Sequence, residues 1–343
     1  MTNKIYRVAI VGLGRMGSTI DDERPAGFPA VSIAAACAAS PRLEVVAGAD
    51  IDPDKRAAFQ ARWGVTALYG DYLEMIRQEQ PDLVAICTRG VLHAEMIVAV
   101  AEANVPMIFC EKAIACSMEE ADAALAAVGS RNIPFNTGVL RRFGRSYHVA
   151  RRMIADGEIG EPRAGVHYAG SNLLHGHIHS LDTLSFLLGD PPVVSVLGEL
   201  LPRDLVIENN RLDKDPNAIY QVLFANGVEA TTAPGGTWEF EVIGSLGSIR
   251  VCNNGDSLHL RKAKSEKERI FLDAPAPAVE AHSTTQSCLE DILDAYETGR
   301  PTLGNIQITH HLTEACLAVA ESHRQQKRIT LPLENRSLYI FHV

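Results

Sequence analysis

The sequence lacks an apolar run long enough to cross a membrane, and it lacks the basic excess typical of nucleic-acid-binding proteins. Its 32 Lys and Arg residues are outnumbered by 42 Asp and Glu residues, which gives a formal net charge of −10 at pH 7. Nucleic acids and anionic membrane surfaces repel such an acidic chain. We therefore expect no nucleic-acid partner and no membrane association.

Cysteine is sparse and shows no pairing pattern. The seven cysteines are scattered, odd in number and mostly set among apolar residues, and no Cys-x-x-Cys pair occurs. This usage predicts reduced thiols in a cytoplasmic protein without a structural zinc site. The first residues lead directly into a predicted strand, so we expect no signal peptide.

The most informative stretch is a glycine-rich turn after the short apolar run at residues 8–11, which is typical of a buried strand. Its spacing is G-x-G-x-x-G. The first glycine permits the tight turn, the second allows backbone to approach a pyrophosphate, and the third allows close helix packing. The residues predicted to contact a dinucleotide here are Gly12, Gly14, Arg15, Met16 and Gly17. The alternative is an ordinary strand–turn–helix of an α/β domain.

A second predicted strand, residues 43–49, ends at Asp50, whose carboxylate can accept hydrogen bonds from an adenine ribose. This favours NAD over NADP, because a 2′-phosphate would meet a carboxylate, although a loop arginine can compensate. Asp52 is predicted to cap a helix. The interval between Gly17 and Asp50 exceeds the roughly 20 residues of a minimal fingerprint. Residues 20–29 are therefore predicted to be an inserted loop, which either edges the active site or is a tolerated surface insertion.

The pattern of elements indicates two domains. Strands alternate with helices in the first part, and Thr88 and the Glu111-Lys112 pair follow buried strands, at the sheet edge where ligands bind. Several alternating apolar stretches between residues 162 and 271 predict an antiparallel sheet crossed by one helix. We predict a dinucleotide-binding domain at residues 1–130 and a second domain at residues 131–343.

Lys112 is the first candidate for chemistry. A lysine at a strand end near a nucleotide can orient a substrate hydroxyl and stabilise developing alkoxide charge, with a pKa lowered by desolvation. The alternative is an ordinary exposed lysine.

A histidine cluster supplies the second group of candidates. On a helix His175 and His179 share a face, Asp182 follows one turn later, and His177 points elsewhere. Histidine suits proton exchange near neutral pH. A metal site and a structural role are the alternatives, but no carboxylate or cysteine set stands nearby at ligand spacing, so we expect no metal.

Two further segments are ambiguous. Arg141 and Arg142 follow a predicted strand, where they either meet an anionic or hydroxylated substrate or form a solvated pair, and Arg142 is our candidate for substrate binding. Trp238, beside two glycines, is predicted to be a packed aromatic in a turn rather than part of a substrate-facing loop.

Several segments together resemble one family, the glucose-fructose oxidoreductase / inositol dehydrogenase / rhizopine-catabolism (Gfo/Idh/MocA) family of NAD(P)-dependent dehydrogenases. The resemblance covers nearly the whole chain. It rests on GLGRMG at 12–17, VAICT at 84–88 with His93, CEKA at 110–113, RRF at 141–143, DGEIGEP at 156–162, HxxxHxxD at 175–182, IGSLGSIRV at 243–251 and RITLPL at 328–333.

The resemblance implies an α/β fold, with an N-terminal Rossmann domain followed by an α+β domain with a large open antiparallel sheet. It also implies a homodimer or homotetramer. Lys112 matches the lysine of the family's Glu-Lys-Pro motif, and His179 matches the histidine that serves as acid/base. Three positions depart from the pattern, because Ala113 replaces a proline, His175 an aspartate and His177 a glycine. His175 is expected to bind substrate, or Asp182 or a substrate group to orient His179.

The expected function is reversible oxidation of a secondary hydroxyl of a sugar, glycoside or cyclitol, with NAD as cofactor and NADP as an alternative. His179 removes the proton and Lys112 polarises the oxygen. Thr88, His93 and Glu111 are expected at the cofactor. One alternative is an enzyme that cleaves glycosides by transient oxidation and elimination while recycling NAD. Another is a nucleotide-binding sensor without turnover.

Overall fold

The first sheet is parallel, as the alternation of strands and helices predicts. The computed structural model describes residues 4–265, 268 and 270–342. Six parallel strands lie in the order β3-β2-β1-β4-β5-β6. They are β1 (Tyr6–Val11), β2 (Leu43–Ala49), β3 (Ala67–Tyr69), β4 (Leu83–Ile86), β5 (Met107–Cys110) and β6 (Phe135–Thr137). The central strands β1 and β4 are apolar and buried because helices cover both faces of the sheet.

The helices of this part begin at Ser or Asp caps, except for the one that starts at His93 after Leu92. They are α1 (Ile33–Ala39), α2 (Pro53–Trp63), α3 (Tyr72–Glu79), α4 (His93–Glu102) and α5 (Met118–Gly129). The Asp52 carboxylate accepts the Asp54 N–H at 2.9 Å at the start of α2, so the prediction that Asp52 is a helix cap is confirmed.

The predicted insertion begins with one turn of 3₁₀-helix (Ile20–Glu23) and continues without regular structure towards Ser32. Its ends are held by polar contacts. The Asp22 carboxylate pairs with Arg62 of α2, and the Asp21 carboxylate accepts the Val31 N–H at 2.7 Å. The segment is therefore attached to the first domain beside the glycine turn.

The second sheet is mixed but mostly antiparallel. Its ten strands follow the order β16-β15-β14-β13-β7-β12-β11-β9-β17, with β8 paired to β11, and β7 and β12 are parallel. They are β7 (Pro162–Tyr168), β8 (Ser171–Asn172), β9 (Val193–Leu201), β11 (Asn217–Phe224), β12 (Glu229–Ala233), β13 (Glu239–Gly244), β14 (Gly247–Cys252), β15 (Ser257–Ala263), β16 (Phe271–Ala274) and β17 (Ile329–Thr330). Two-residue strands β10 (Arg211–Leu212) and β18 (Tyr339–Ile340) form a separate parallel pair.

The helices of the later part of the described chain are α6 (Arg145–Ala155), α7 (Ile178–Leu187), α8 (Thr284–Thr298) and α9 (Ile306–Gln325). The predicted helices near the end of the chain agree with α8 and α9. Helix α8 turns back to the first sheet, where Leu289 and Ile292 share a buried cluster with Val8 and Phe109. Strand β6 carries the first sheet to Thr137, beyond the boundary expected at residue 130. In the described part of the chain, no helix is both long and apolar enough to span a bilayer.

Candidate active site

The glycine turn after β1 leaves room for a ligand at one glycine and is filled by backbone at the other two. Gly12 has φ +90°, and a Cβ there would lie 2.7 Å from the Cys87 carbonyl carbon. A Cβ on Gly17 would lie 2.1 Å from the Gly12 oxygen, whereas the nearest atom to one on Gly14 is Lys55 Nζ at 4.0 Å. The chain enters a helical turn at Arg15–Thr19, whose first N–H groups have no partner within the helix. This open cradle fits a pyrophosphate.

Asp50 stands beside this cradle at the end of β2. Its carboxylate is half-buried and accepts the Leu13 N–H at 2.9 Å and the Asp52 N–H at 3.0 Å. Arg56 donates to the Asp50 carbonyl at 2.6 Å. The two backbone N–H groups fix the carboxylate next to the glycine turn, where a ribose hydroxyl can donate to it.

The ends of β4 and β5 are joined through His93. The imidazole is 1% exposed, with Nδ1 2.8 Å from the Ala113 oxygen and Nε2 3.0 Å from the Thr88 oxygen. Burial lowers its pKa. The His93 side chain therefore braces the two loops and is fully engaged with backbone, while the loop at Thr88 itself borders Gly12.

Glu111 and Lys112 follow β5, and the Lys112–Ala113 peptide bond is cis. The Glu111 carboxyl is buried against Gly138, and burial raises its pKa to about 7, opposed by the charges of Lys112 and Arg15. Lys112 Nζ donates to the His175 carbonyl at 3.2 Å and lies 3.3 Å from His175 Nδ1. Burial lowers the lysine pKa, as predicted for a desolvated amine.

The histidine segment divides into exposed, buried and pocket-facing members. His175, in the helical turn at Leu173–His177 before α7, keeps part of its surface exposed, and the partial desolvation of its ring together with the charge of Lys112 lowers its pKa. His177 is buried between Ser180 Oγ at 3.0 Å and the Ala218 oxygen at 2.8 Å, so it points elsewhere, as predicted.

His179 is the member of the segment whose ring nitrogen Nδ1 is left without a partner in the described part of the chain. Its Nδ1 is buried and has no hydrogen-bond partner among the residues that the structure describes. Burial lowers its pKa well below the usual value, and the charges of Arg141 and Lys112 act in the same direction. The imidazole is consequently neutral at neutral pH and can act as a base.

Arg142 and Asp182 lie in the protein interior rather than facing a substrate. Arg142 is 0% exposed, and its guanidinium donates to Asp182 Oδ1 at 2.7 and 2.9 Å and to Asp190 Oδ1 at 2.7 Å. Arg142 pairs with Asp182 Oδ1, whereas Asp182 Oδ2 is buried without a hydrogen-bond partner among the described residues. This geometry counts against the predicted substrate contact of Arg142, while an orienting role of Asp182 towards His179 stays a prediction.

The neighbouring Arg141 instead lies near Lys112 and His179, and its charge lowers the pKa of both; the space between these side chains is called the pocket below. Its guanidinium carbon lies 4.5 Å from the centroid of the Trp238 ring, and Nε donates to Asn254 Oδ1 at 2.8 Å. The Trp238 ring lies 6.4 Å from His179 and packs 4.9 Å from His167. Trp238 is thus packed, as predicted, but it also borders the pocket.

Two pocket residues carry no sequence signal of their own: Asp215, between β10 and β11, and His342, after β18. Both stand in segments without a motif, and only the fold brings them near Lys112. No group of three His, Cys, Asp or Glu side chains suited to a metal ion occurs in the described ranges of the chain.

Comparison with known proteins gives consistent findings. A family model, GFO_IDH_MocA, described as an oxidoreductase family with an NAD-binding Rossmann fold, matches residues 6–138. The scyllo-inositol 2-dehydrogenase (NAD(+)) of Bacillus subtilis is 30% identical over 266 residues, which cover 71% of this chain and 72% of that protein. The myo-inositol 2-dehydrogenase of Thermotoga maritima is 25% identical over 198 residues, or 54% and 55% of the two chains.

A solved structure shares the whole fold. Levoglucosan dehydrogenase in complex with NADH has a TM-score of 0.75 and 20% identity, covering 96% of this chain and 100% of that one. At this identity the likeness concerns the fold alone.

Proposed function

Since this chain belongs to the GFO_IDH_MocA oxidoreductase family, whose Rossmann fold binds NAD, we propose that it interconverts a secondary hydroxyl of a sugar, glycoside or cyclitol and the corresponding ketone. The observation that carries the proposal is the meeting of Lys112 with the segment of His175 and His179. The Lys112 amine lies 3.3 Å from His175 Nδ1, and it is near enough to His179 for its charge to lower the pKa of that imidazole.

The proposed reaction moves one proton and one hydride. His179 accepts the hydroxyl proton, for which its neutral state at neutral pH is suited. Lys112 donates a hydrogen bond to the same oxygen and stabilises its developing negative charge. NAD supplies the hydride acceptor. In the reverse direction His179 returns the proton to the ketone oxygen.

Substrate recognition is proposed for side chains around this centre. His175 is exposed beside Lys112, and Arg141 takes the role predicted for Arg142, since Arg142 is occupied by carboxylates. The residues proposed to hold NAD are Gly12, Gly14, Arg15, Met16, Gly17, Asp50, Thr88 and Glu111. His93 is proposed to act on the cofactor loop through the Thr88 and Ala113 carbonyls.

The second sheet exposes large apolar side chains on β9. Val194 and Leu197 on β9 are 39% and 42% exposed. We propose that a second copy of the chain covers these side chains in a homodimer or homotetramer. Location in the cytoplasm also remains a prediction.

The test of the proposed reaction is NADH formation, followed by its near-ultraviolet absorbance, with panels of cyclitols, free sugars and glycosides. We expect one polyol class to reduce NAD. Lys112→Met and His179→Asn are each expected to lower kcat by about 10²-fold or more, because each removes a group that acts on the reacting oxygen.

Matched controls are the exposed Lys264→Met and His259→Asn, which should retain wild-type rates. Product analysis separates the remaining outcomes. Cleavage of a glycoside without net formation of NADH would contradict the dehydrogenase proposal. It would support the enzyme that cleaves glycosides by transient oxidation and elimination. NAD binding without turnover of any compound would favour a sensor.

A further inference from the structure

Two side chains outside the proposed chemistry enclose Lys112. His342 is 2% exposed, and its Nε2 lies 3.2 Å from the Lys112 carbonyl oxygen. Its own carbonyl accepts the Val91 N–H at 3.0 Å. The ring lies directly over Gly90, where a Cβ would be 2.1 Å from the His342 Cδ2. The imidazole is therefore wedged between the Gly90 turn and the backbone of Lys112.

Asp215 approaches the same lysine from the other side. Its Oδ1 accepts the Leu174 N–H at 2.9 Å, and its Oδ2 accepts the His175 N–H at 2.6 Å. The same Oδ2 lies 3.9 Å from His342 Nδ1. Lys112 binds His175, His175 binds Asp215, Asp215 faces His342, and His342 contacts Lys112. These contacts link the amine and the backbone carbonyl of Lys112 through His175, Asp215 and His342, and the 3.9 Å approach of Asp215 to His342 closes the circuit without a hydrogen bond.

The Asp215 carboxylate has a second effect, which is on the charge of Lys112. Asp215 raises the pKa of Lys112 and opposes the larger lowering by burial. The other titratable or charged groups that act on Lys112, or on which Lys112 acts, come from several elements: Glu111, Arg15, Arg141, His93, His175, His179 and His342. Among these groups, Glu111 is the one acidic side chain besides Asp215, and its carboxyl is buried against Gly138.

We propose that Asp215 and His342 are positioning residues for Lys112, with Asp215 holding the His175 loop and balancing the ammonium charge, and His342 fixing the lysine backbone. The proposal rests on the proposed function of Lys112. It concerns two segments that lie far apart in sequence and meet only at this pocket.

The first test measures the amine directly and needs no substrate. Purified protein is acetylated with a limiting reagent across a pH series, and mass spectrometry gives the labelling midpoint of Lys112. Asp215→Asn is expected to move this midpoint about one pH unit lower, because the ammonium loses an opposing charge. Asp213→Asn, an exposed carboxylate in the same loop, should leave it unchanged. An unchanged midpoint in Asp215→Asn would overturn the role of Asp215, whether or not any polyol is oxidised.

The second test compares variants at His342. His342→Ala is expected to lower kcat about tenfold or more, because a small displacement of a catalytic group is costly. His342→Gln should recover most of the loss, since its amide can still donate to the Lys112 carbonyl. NAD affinity should stay unchanged in both. Equal loss in His342→Gln and His342→Ala, or a parallel loss of NAD affinity, would contradict a positioning role.

The substitution Gly90→Ala tests the position of the His342 ring without changing His342 itself. The added methyl group would displace the ring, so kcat should fall as in His342→Ala. Gly129→Ala is the control, because no atom lies within 4 Å of a Cβ there. If no polyol is turned over, the acetylation rate of Lys112 in these variants decides the proposal. An unchanged rate in both His342→Ala and Gly90→Ala would overturn the role of His342.

Discussion

Burial affects the protonation state of single residues around the proposed site more than the neighbouring sequence does. Glu111 and Lys112 are neighbours in sequence, yet burial raises the pKa of the first and lowers that of the second. Both shifts favour the uncharged form, as desolvation requires. Each of the two side chains is therefore closer to its uncharged form than it would be in solvent.

The pH dependence of stability should reveal the buried Glu111 carboxyl. Its pKa rises from 4.5 to about 7 on folding, so below pH 4.5 the folded and unfolded states are both protonated. As pH rises from there to about 7 the unfolded state ionises first, and the free energy of unfolding falls. Glu111→Gln removes this loss, which amounts to about 3 kcal/mol at the upper end.

The measurement for Glu111 is urea unfolding of the cofactor-free protein over that pH range, with wild type and Glu111→Gln compared at each pH. The variant should gain relative stability as pH rises. Parallel profiles would show that the carboxyl titrates normally in the folded protein.

Adjacent residues can be assigned to opposite sides of the chain only once the local turn is known. The sequence places Arg141 and Arg142 together after a strand, and a 3₁₀ turn at Leu140–Phe143 turns one inward and the other towards the pocket. Lys112 and His179 were accessible to sequence reasoning, because strand ends and helical spacing locate them. Asp215 and His342 were not, since their proximity to Lys112 depends on long-range packing.

At the scale of elements, the buried Arg142 ion pair joins the 3₁₀ turn to α7. Removing the cation would leave the Asp182 carboxylate buried without compensation. Arg142→Met is therefore expected to lower the free energy of unfolding by about 3–5 kcal/mol. Arg203→Met, which breaks the exposed pair with Glu199, should cost under about 1 kcal/mol.

Denaturant unfolding of both variants measures this difference. Where Arg142→Met remains folded, its KM for substrate should stay close to wild type, because the guanidinium does not face the pocket. A raised KM with unchanged stability would instead support a role of Arg142 in substrate binding.

Elements with a strong local pattern were predictable and those that depend on distant partners were less so. Strand β2 and helix α9 have the predicted bounds, because apolar alternation and helical periodicity are local signals. The parallel pairing of β7 with β12 was not predicted, since periodicity identifies strands but not their neighbours. The turn at Leu173–His177 was likewise treated as ordinary helix.

At the scale of the whole molecule, the first domain is completed by a helix from near the end of the chain. Leu289 of α8 is 0% exposed within the cluster that covers one face of β1 and β5. Leu289→Ala is expected to cost about 2–5 kcal/mol, and the amides of β1 should lose protection from hydrogen exchange.

Leu260→Ala is the matched control, because Leu260 is equally buried in the second sheet and belongs to the other cluster. Hydrogen exchange at β1 should respond less to this change. Equal protection of β1 in Leu289→Ala and wild type would show that the first sheet is stable without α8.

This return of α8 has a consequence for synthesis on the ribosome. The six strands up to Thr137 emerge long before residues 284–298, and at typical translation rates of about 5–20 residues per second the delay is roughly seven to thirty seconds. Throughout that interval the apolar surface of the first sheet that Leu289 and Ile292 cover in the folded protein is exposed. The nascent chain therefore presents an adhesive apolar face to holding chaperones, and slowed translation between the two segments prolongs its exposure.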